Sequence, residues 1–167
     1  MPLFLKEEFH ANRQLIGLSF AIGGVGWLVG SLIVGALATP KRRVRWLTTS
    51  WLLGNIVVGF IAMVNHVWLA LVIVFLVGPL LSYGNVLWES MMQTEVPKEL
   101  LGRVTSVDWF ISLGLSPLGV MAAAAISTHV GIRTYFLLAT LICVPFQIIL
   151  LISKRVNAVD ATRVASK

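Results

Sequence analysis

Two acids stand in otherwise apolar sequence, Glu89 and Asp108, one on each side of the polar stretch Thr94–Arg103. A carboxylate in such surroundings is costly unless it faces protein, water or a basic partner, so both are candidates for a role beyond packing. Gly78, Ser82, Asn85, Glu89 and Gln93 follow one another at steps of three or four and therefore share one face of a helix. Asp108, Ser112 and Ser116, at steps of four, make a second polar stripe. The chemistry open to these groups is proton titration or cation attraction by Glu89 and Asp108 at the mouth of a polar cavity. Asn85, Ser82, Ser112 and Ser116 would contact a polar molecule inside it. A simpler reading gives the two acids ion pairs or caps with Lys98, Arg103 or Arg42–Arg43, since long basic side chains reach acids at shallow depth. Asn85 in turn could make an interhelical hydrogen bond, worth about 0.6 kcal/mol on average in a membrane. Asn55 carries the same two readings without a supporting stripe.

Catalysis finds no constellation. Glu7–Glu8 followed by Arg13 faintly resembles the acidic-pair motif of intramembrane prenyl proteases, but the Arg is one residue too far and no membrane His pair follows. There is no HExxH or GxSxG motif and no glycine loop that would cradle a phosphate, so neither an enzyme, a metal site nor a cofactor is predicted. Cys143 is alone in the chain, which excludes a disulfide framework, and it reads as a packing residue.

The elements that position the stripes are membrane helices. In 167 residues, 57% are hydrophobic and 12% charged, with a mean hydropathy of +0.89. Too little polar surface remains to cover a soluble core, and the apolar blocks reach the roughly 20 residues that a bilayer-crossing helix needs. Five spans are predicted, at about 14–38, 46–64, 67–91, 104–128 and 134–153, so the fold class is an all-α membrane protein with the lipid bilayer as its first partner. No Asp, Glu, Lys or Arg occurs from Trp46 to Trp88, which is too long for one span, and Asn65–His66 marks the break within it. Pro117 interrupts the fourth span and Pro145 lies in the fifth. In the first span, the pairs Gly17–Ala21, Gly26–Gly30 and Ser31–Gly35 would let another helix backbone approach closely.

Charge sets the expected orientation. The segments 39–45, 94–103 and 154–167 hold ten of the thirteen Lys and Arg; residues 1–13, 65–66 and 129–133 hold three. The positive-inside rule then puts residues 1–13 outside and the tail 154–167 in the cytoplasm of a multi-pass plasma-membrane protein. The formal charge of +6 follows from this placement, and no basic stripe interleaved with stacking aromatics points to nucleic acid. Trp46, Trp68, Trp88 and Tyr135 fall near span ends, as interfacial aromatics do. The first residues, with Lys6 followed at once by Glu7–Glu8, do not form a secretory leader.

The stretch GxxxxxGNVxxxxxxQxxVPxELxGRVxS, Gly78 to Ser106, resembles the link between the tenth and eleventh helices of major facilitator superfamily exporters. Its closest likeness is to the drug and siderophore efflux branch, which includes the enterobactin exporter and macrolide pumps. Residues 14–43, ending in the basic turn Lys41–Arg42–Arg43, resemble the eighth helix of that branch and the turn after it; residues 112–131 resemble the eleventh. The resemblance covers about Leu3 to Arg155 and is carried most specifically by Gln93, Pro97, Gly102 and Arg103. Pro97 suits the first turn of a short helix and Gly102 its left-handed C-cap. Thr39, followed by Pro40, stands where the basic-turn motif usually has an Asp, and Leu101 where an Arg is common.

Such transporters have two six-helix halves with the substrate site between them near the midplane. The resemblance implies helices 8–12 of twelve, in a chain that lacks the first half and most of the seventh helix. It also implies a small amphipathic substrate of drug, macrolide or siderophore type, exported with proton coupling. The isolated chain is expected not to transport, and both stripes would need the missing N-terminal half or an oligomeric partner. The alternative from another class is a non-transporting membrane protein whose first span packs against a larger one through its small-residue face.

Overall fold

The computed structural model describes residues 2–37 and 40–153. The expected cytoplasmic tail 154–167 and Thr39 lie outside the described residues. Every described element is helical: α1 Pro2–Phe9, α2 Arg13–Ala36, α3 Arg43–Gly59, α4 Val67–Glu95, α5 Lys98–Trp109, α6 Ser116–Val130 and α7 Ile132–Ile152. A 3-10 turn, Phe60–Met63, extends α3, and a π-helical turn, Phe110–Gly114, joins α5 to α6. Counting these extensions, five helices among the described residues are long and apolar enough to cross a membrane: Arg13–Ala36, Arg43–Met63, Val67–Glu95, Lys98–Val130 and Ile132–Ile152.

Helix ends follow local chemistry. Asn12 caps α2 by accepting the Leu15 N–H at 2.8 Å, the role for which Asn is favoured. Asn65–His66 falls where α3 has ended and α4 starts. Pro117 occupies the first turn of α6, where its missing N–H costs nothing. The α6–α7 corner turns at Gly131, whose φ of 81° favours glycine.

The connection between the third and fourth spans differs from the expected polar loop. The third span runs on to Glu95, and only Val96–Pro97 separate it from α5. Pro97 does precede a helix, but Gly102 does not end it. Gly102 lies inside α5 and accepts the Ser106 hydroxyl at 2.7 Å. The Pro97 carbonyl accepts the Leu101 N–H at 3.0 Å to start the helix, which runs unbroken past Gly102 to Trp109. The π turn then breaks the four-residue rhythm of the second stripe, so Asp108, Ser112 and Ser116 do not line one regular face.

α4 is the hub, with α2 against one side, α3 against another, and α7 packed on α3. The α2–α4 crossing is a backbone contact. A Cβ on Gly78 would stand 2.7 Å from the Gly26 carbonyl carbon and 2.7 Å from the Trp27 nitrogen, and one on Gly30 would meet Pro79 Cα at 2.5 Å. Gly26 faces the carbonyl of Phe75, which Pro79 leaves without its helical donor. A weak Cα–H···O contact is what such an approach permits. The Gly26–Gly30 pair therefore has its partner helix.

The fully buried apolar core sits at the end where α1, the Phe60–Met63 turn and the start of α7 converge. Phe4, Leu5, Ile61, Val64, Ala70 and Ile132 form it. Phe4 stacks edge-on against Phe9 and Phe136, with centroids 5.8 and 5.7 Å apart. Arg133 closes this end. It donates to Glu8 Oε2 at 2.7 Å, the Ala62 carbonyl at 3.1 Å and Asn65 Oδ1 at 3.2 Å. Cys143, expected in packing, is exposed on α7.

Candidate functional site

The first polar stripe divides by depth. Gly78 and Ser82 are buried under α2, and the Ser82 hydroxyl lies 2.7 Å from that of Ser31. Ser82 thus faces a neighbouring helix in this arrangement, and its hydrogen bond is met there. Asn85, one turn on, is half-buried and donates to the Leu81 carbonyl of its own helix at 2.8 Å. Its other polar capacity remains for a further partner. Glu89 is half-buried, and Gln93 is exposed near the helix end. Replacing Ser82 by alanine should cost only about 0.6 kcal/mol, the usual worth of an interhelical hydrogen bond in a membrane. Detergent-solution unfolding of the two proteins would measure it, and a loss above ~2 kcal/mol would mean the hydroxyl pair does more than join helices.

The second stripe reaches α4 at Trp88, which lies beside the first stripe. Asp108 is half-buried and accepts the indole N–H of Trp88 at 3.3 Å. Trp88, expected as an interfacial aromatic, is thus the neighbour of Glu89 in sequence and of Asp108 in space. Neither acid is ion-paired with Lys98, Arg103, Arg42 or Arg43 in the structure. Ser112 and Ser116 are exposed along a span that the described chain hardly covers, since it touches α4 near Trp88 and α7 near Gly131 and little else. The basic turn lies at the same end as Glu89: Arg43 reaches Thr94 Oγ1 at 3.5 Å, beside the last turn of α4. Lys41, Arg42 and Arg103 are exposed there. That end therefore combines a basic rim, two half-buried acids and, deeper in, an amide and two exposed hydroxyls.

The Major Facilitator Superfamily family model matches residues 1–165. The chain belongs to the Major Facilitator Superfamily. Comparison with curated proteins and with solved structures gives no match. Members of this superfamily are membrane transporters and not enzymes, so transmembrane transport is the general function, and the five spans form part of such a transporter's helical scaffold.

Several polar groups that matter in the fold were not singled out from pattern. Ser31 reads in sequence only as a small residue, and its pairing with Ser82 needs the α2–α4 crossing. Trp88 offered no hint of its bond to Asp108. Gln147 is the single amide of α7, and its Oε1 is buried without a hydrogen-bond partner among the described residues. Its signal was present, because an amide two residues after Pro145 in apolar sequence is itself costly. Glu8 was weighed only as half of an acidic pair, yet it holds Arg133.

Proposed function

We propose that this chain forms the helix 8–12 portion of a proton-coupled exporter of small amphipathic molecules, of drug, macrolide or siderophore type, in the plasma membrane. The N-terminal segment lies outside and the C-terminal tail in the cytoplasm, as the basic rim at the Glu89 end favours. The observation that carries the reading is that Asp108 is held by Trp88, the residue next to Glu89 in α4, beside a span whose Ser112 and Ser116 lack cover. Two half-buried acids at one end of a polar flank suit a proton-responsive gate, because protonation lets each carboxyl move into less polar surroundings. Complementary helices would cover the flank and complete the cavity, with Asn85, Ser112 and Ser116 contacting substrate. Gln93, Pro97, Gly102 and Arg103, with Lys41, Arg42 and Arg43, form the cytoplasmic rim on which the moving half turns.

The test is dye uptake into inverted membrane vesicles under an imposed pH gradient. The chain would be expressed alone, and together with the six-helix N-terminal half of a superfamily drug exporter. Uptake is expected only in the second case, and Glu89→Gln with Asp108→Asn should lower gradient-driven uptake about tenfold or more, a barrier increase near 1.4 kcal/mol. Uptake that ignores both substitutions would end the gating assignment. A second reading rests on Gly17, Gly24 and Gly35 of α2, where an added Cβ would meet nothing. These open positions fit a non-transporting protein that packs on a larger membrane partner. Co-purification of such a partner in mild detergent, lost in Gly24→Leu, would favour it.

A further inference from the structure

Between α2 and α3 lies a groove of 590 Å³ that takes no part in the proposed transport path. It exists because α2 and α3 both rest on α4 while scarcely touching each other. Its floor on α4 is Pro79, Leu80 and Tyr83, roughly a third of a helical turn away from the face of Asn85 and Glu89. Ile33 and Leu37 line it from α2, and Trp46, Thr49 and Leu53 from α3. Two of its hydroxyls are already engaged, Thr49 donating to the Arg45 carbonyl at 2.8 Å and Ser50 to the Leu80 carbonyl, which leaves the Tyr83 phenol on its floor. Apart from that phenol the lining offers an occupant mainly carbon, in a volume within the range of about 300–1,000 Å³ typical of small-molecule sites.

The groove has a charged end. Leu37 directly follows α2, and Trp46 lies in the first turn of α3, so its mouth opens at the basic turn. Trp46, Thr49 and Leu53 are spaced by three and four residues and share one side of α3, and Arg42 immediately precedes the helix. Lys41 and Arg42 are exposed in the turn directly before α3, while Arg43 turns to Thr94. From Trp46 to Leu53 the wall runs about 10 Å into the membrane.

We propose that this groove holds an anionic phospholipid, with an acyl chain against Ile33, Leu37, Leu53 and Tyr83 and the phosphate on Lys41 and Arg42. Charge complementarity selects this occupant. A basic pair over an apolar, sideways-open groove matches a molecule with one anionic head and a hydrocarbon tail, and basic pockets between membrane helices recognise such headgroups. A neutral ligand would leave the basic pair unused, and free phosphate would leave the groove unfilled.

The experiment is native mass spectrometry of the intact chain released from micelles containing equal phosphatidylglycerol and phosphatidylcholine with identical acyl chains. The expected result is retention of phosphatidylglycerol over phosphatidylcholine by roughly tenfold or more, from two basic residues near an anionic head. Lys41→Gln with Arg42→Gln should bring the ratio near one, and Lys41→Arg with Arg42→Lys should keep it. Leu53→Trp, which fills the groove, should lower retention of both lipids. Equal retention of the two lipids by the unmodified chain would overturn the proposal, as would a preference that survives the Gln substitutions. Displacement of the lipid by millimolar inorganic phosphate, or a lipid-free dimer of the chain, would overturn it too. No transport is measured, so the result is independent of the exporter reading.

Discussion

Replacing Gly78 by leucine is expected to cost about 3 kcal/mol of stability in detergent solution, at the upper end of overpacking effects. The added Cβ alone would stand 2.7 Å from backbone atoms of Gly26 and Trp27. Backbone cannot swing aside as a side chain can, so the whole of α2 must retreat. That retreat breaks the contact of Gly30 with Pro79 and the Ser31–Ser82 hydroxyl pair. Gly119→Leu is the matched control, because nothing lies within 4 Å of a Cβ there. Denaturant unfolding followed by circular dichroism would compare the two variants. A second readout is a disulfide between Ser31→Cys and Ser82→Cys, whose parent hydroxyls are 2.7 Å apart, in a Cys143→Ser background. Gly78→Leu should slow that cross-link about tenfold, and Gly119→Leu should leave it alone. Equal unfolding midpoints for both leucine variants would refute the close crossing.

Arg133→Met is expected to cost about 2 kcal/mol. Hydrogen bonds to a charged group are worth roughly 1.5–3 kcal/mol, and Arg133 makes three. Its side chain is 32% exposed and that of Glu8 26%, so solvent screening holds the total well below the simple sum. The residue joins α1, the end of the second span, the Asn65 connection and α7 in one fork, with the Phe4 ring 6.0 Å from the guanidinium. Glu8→Gln should cost less than ~1 kcal/mol, because Arg133 keeps Ala62 and Asn65. Arg133→Lys should fall between the two, since an ammonium lacks the planar fork. Unfolding midpoints for the three variants check this order. If Glu8→Gln proved as costly as Arg133→Met, the ion pair alone would carry the corner.

The helical membrane class, the number of spans and the break at Asn65–His66 were legible in sequence, because hydropathy and helical period are local properties. The small-residue pair Gly26–Gly30 announced a close helix crossing, though not which helix would come. The same limit governs the polar stripes. A period of 3.6 residues tells which side chains share a face, but not what that face meets. Ser82 and Asn85 share a face, yet one is sealed against Ser31 and the other remains partly open, because α2 crosses α4 at Gly78 and leaves the next turn less covered. Asp108 found Trp88 and, among the described residues, no basic partner, since a two-residue link folds α5 back beside α4 and sets that register. Gly102 misled for a related reason: a glycine near a proline reads as a helix end, but here the chain had room to continue.

By itself, the sequence determined the all-helical membrane scaffold, the basic rim at one end and membership in a transporter superfamily, each of which rests on residue type and short-range spacing. Only the tertiary structure decided that Gly78 meets Gly26, that Glu8 meets Arg133 across 125 residues, and that a groove opens between α2 and α3. Those pairings depend on how separate helices cross. In a bilayer, lipid and protein offer an apolar side chain nearly the same surroundings, so hydropathy does not choose between them. Close backbone fit and a few long-range polar bonds make that choice.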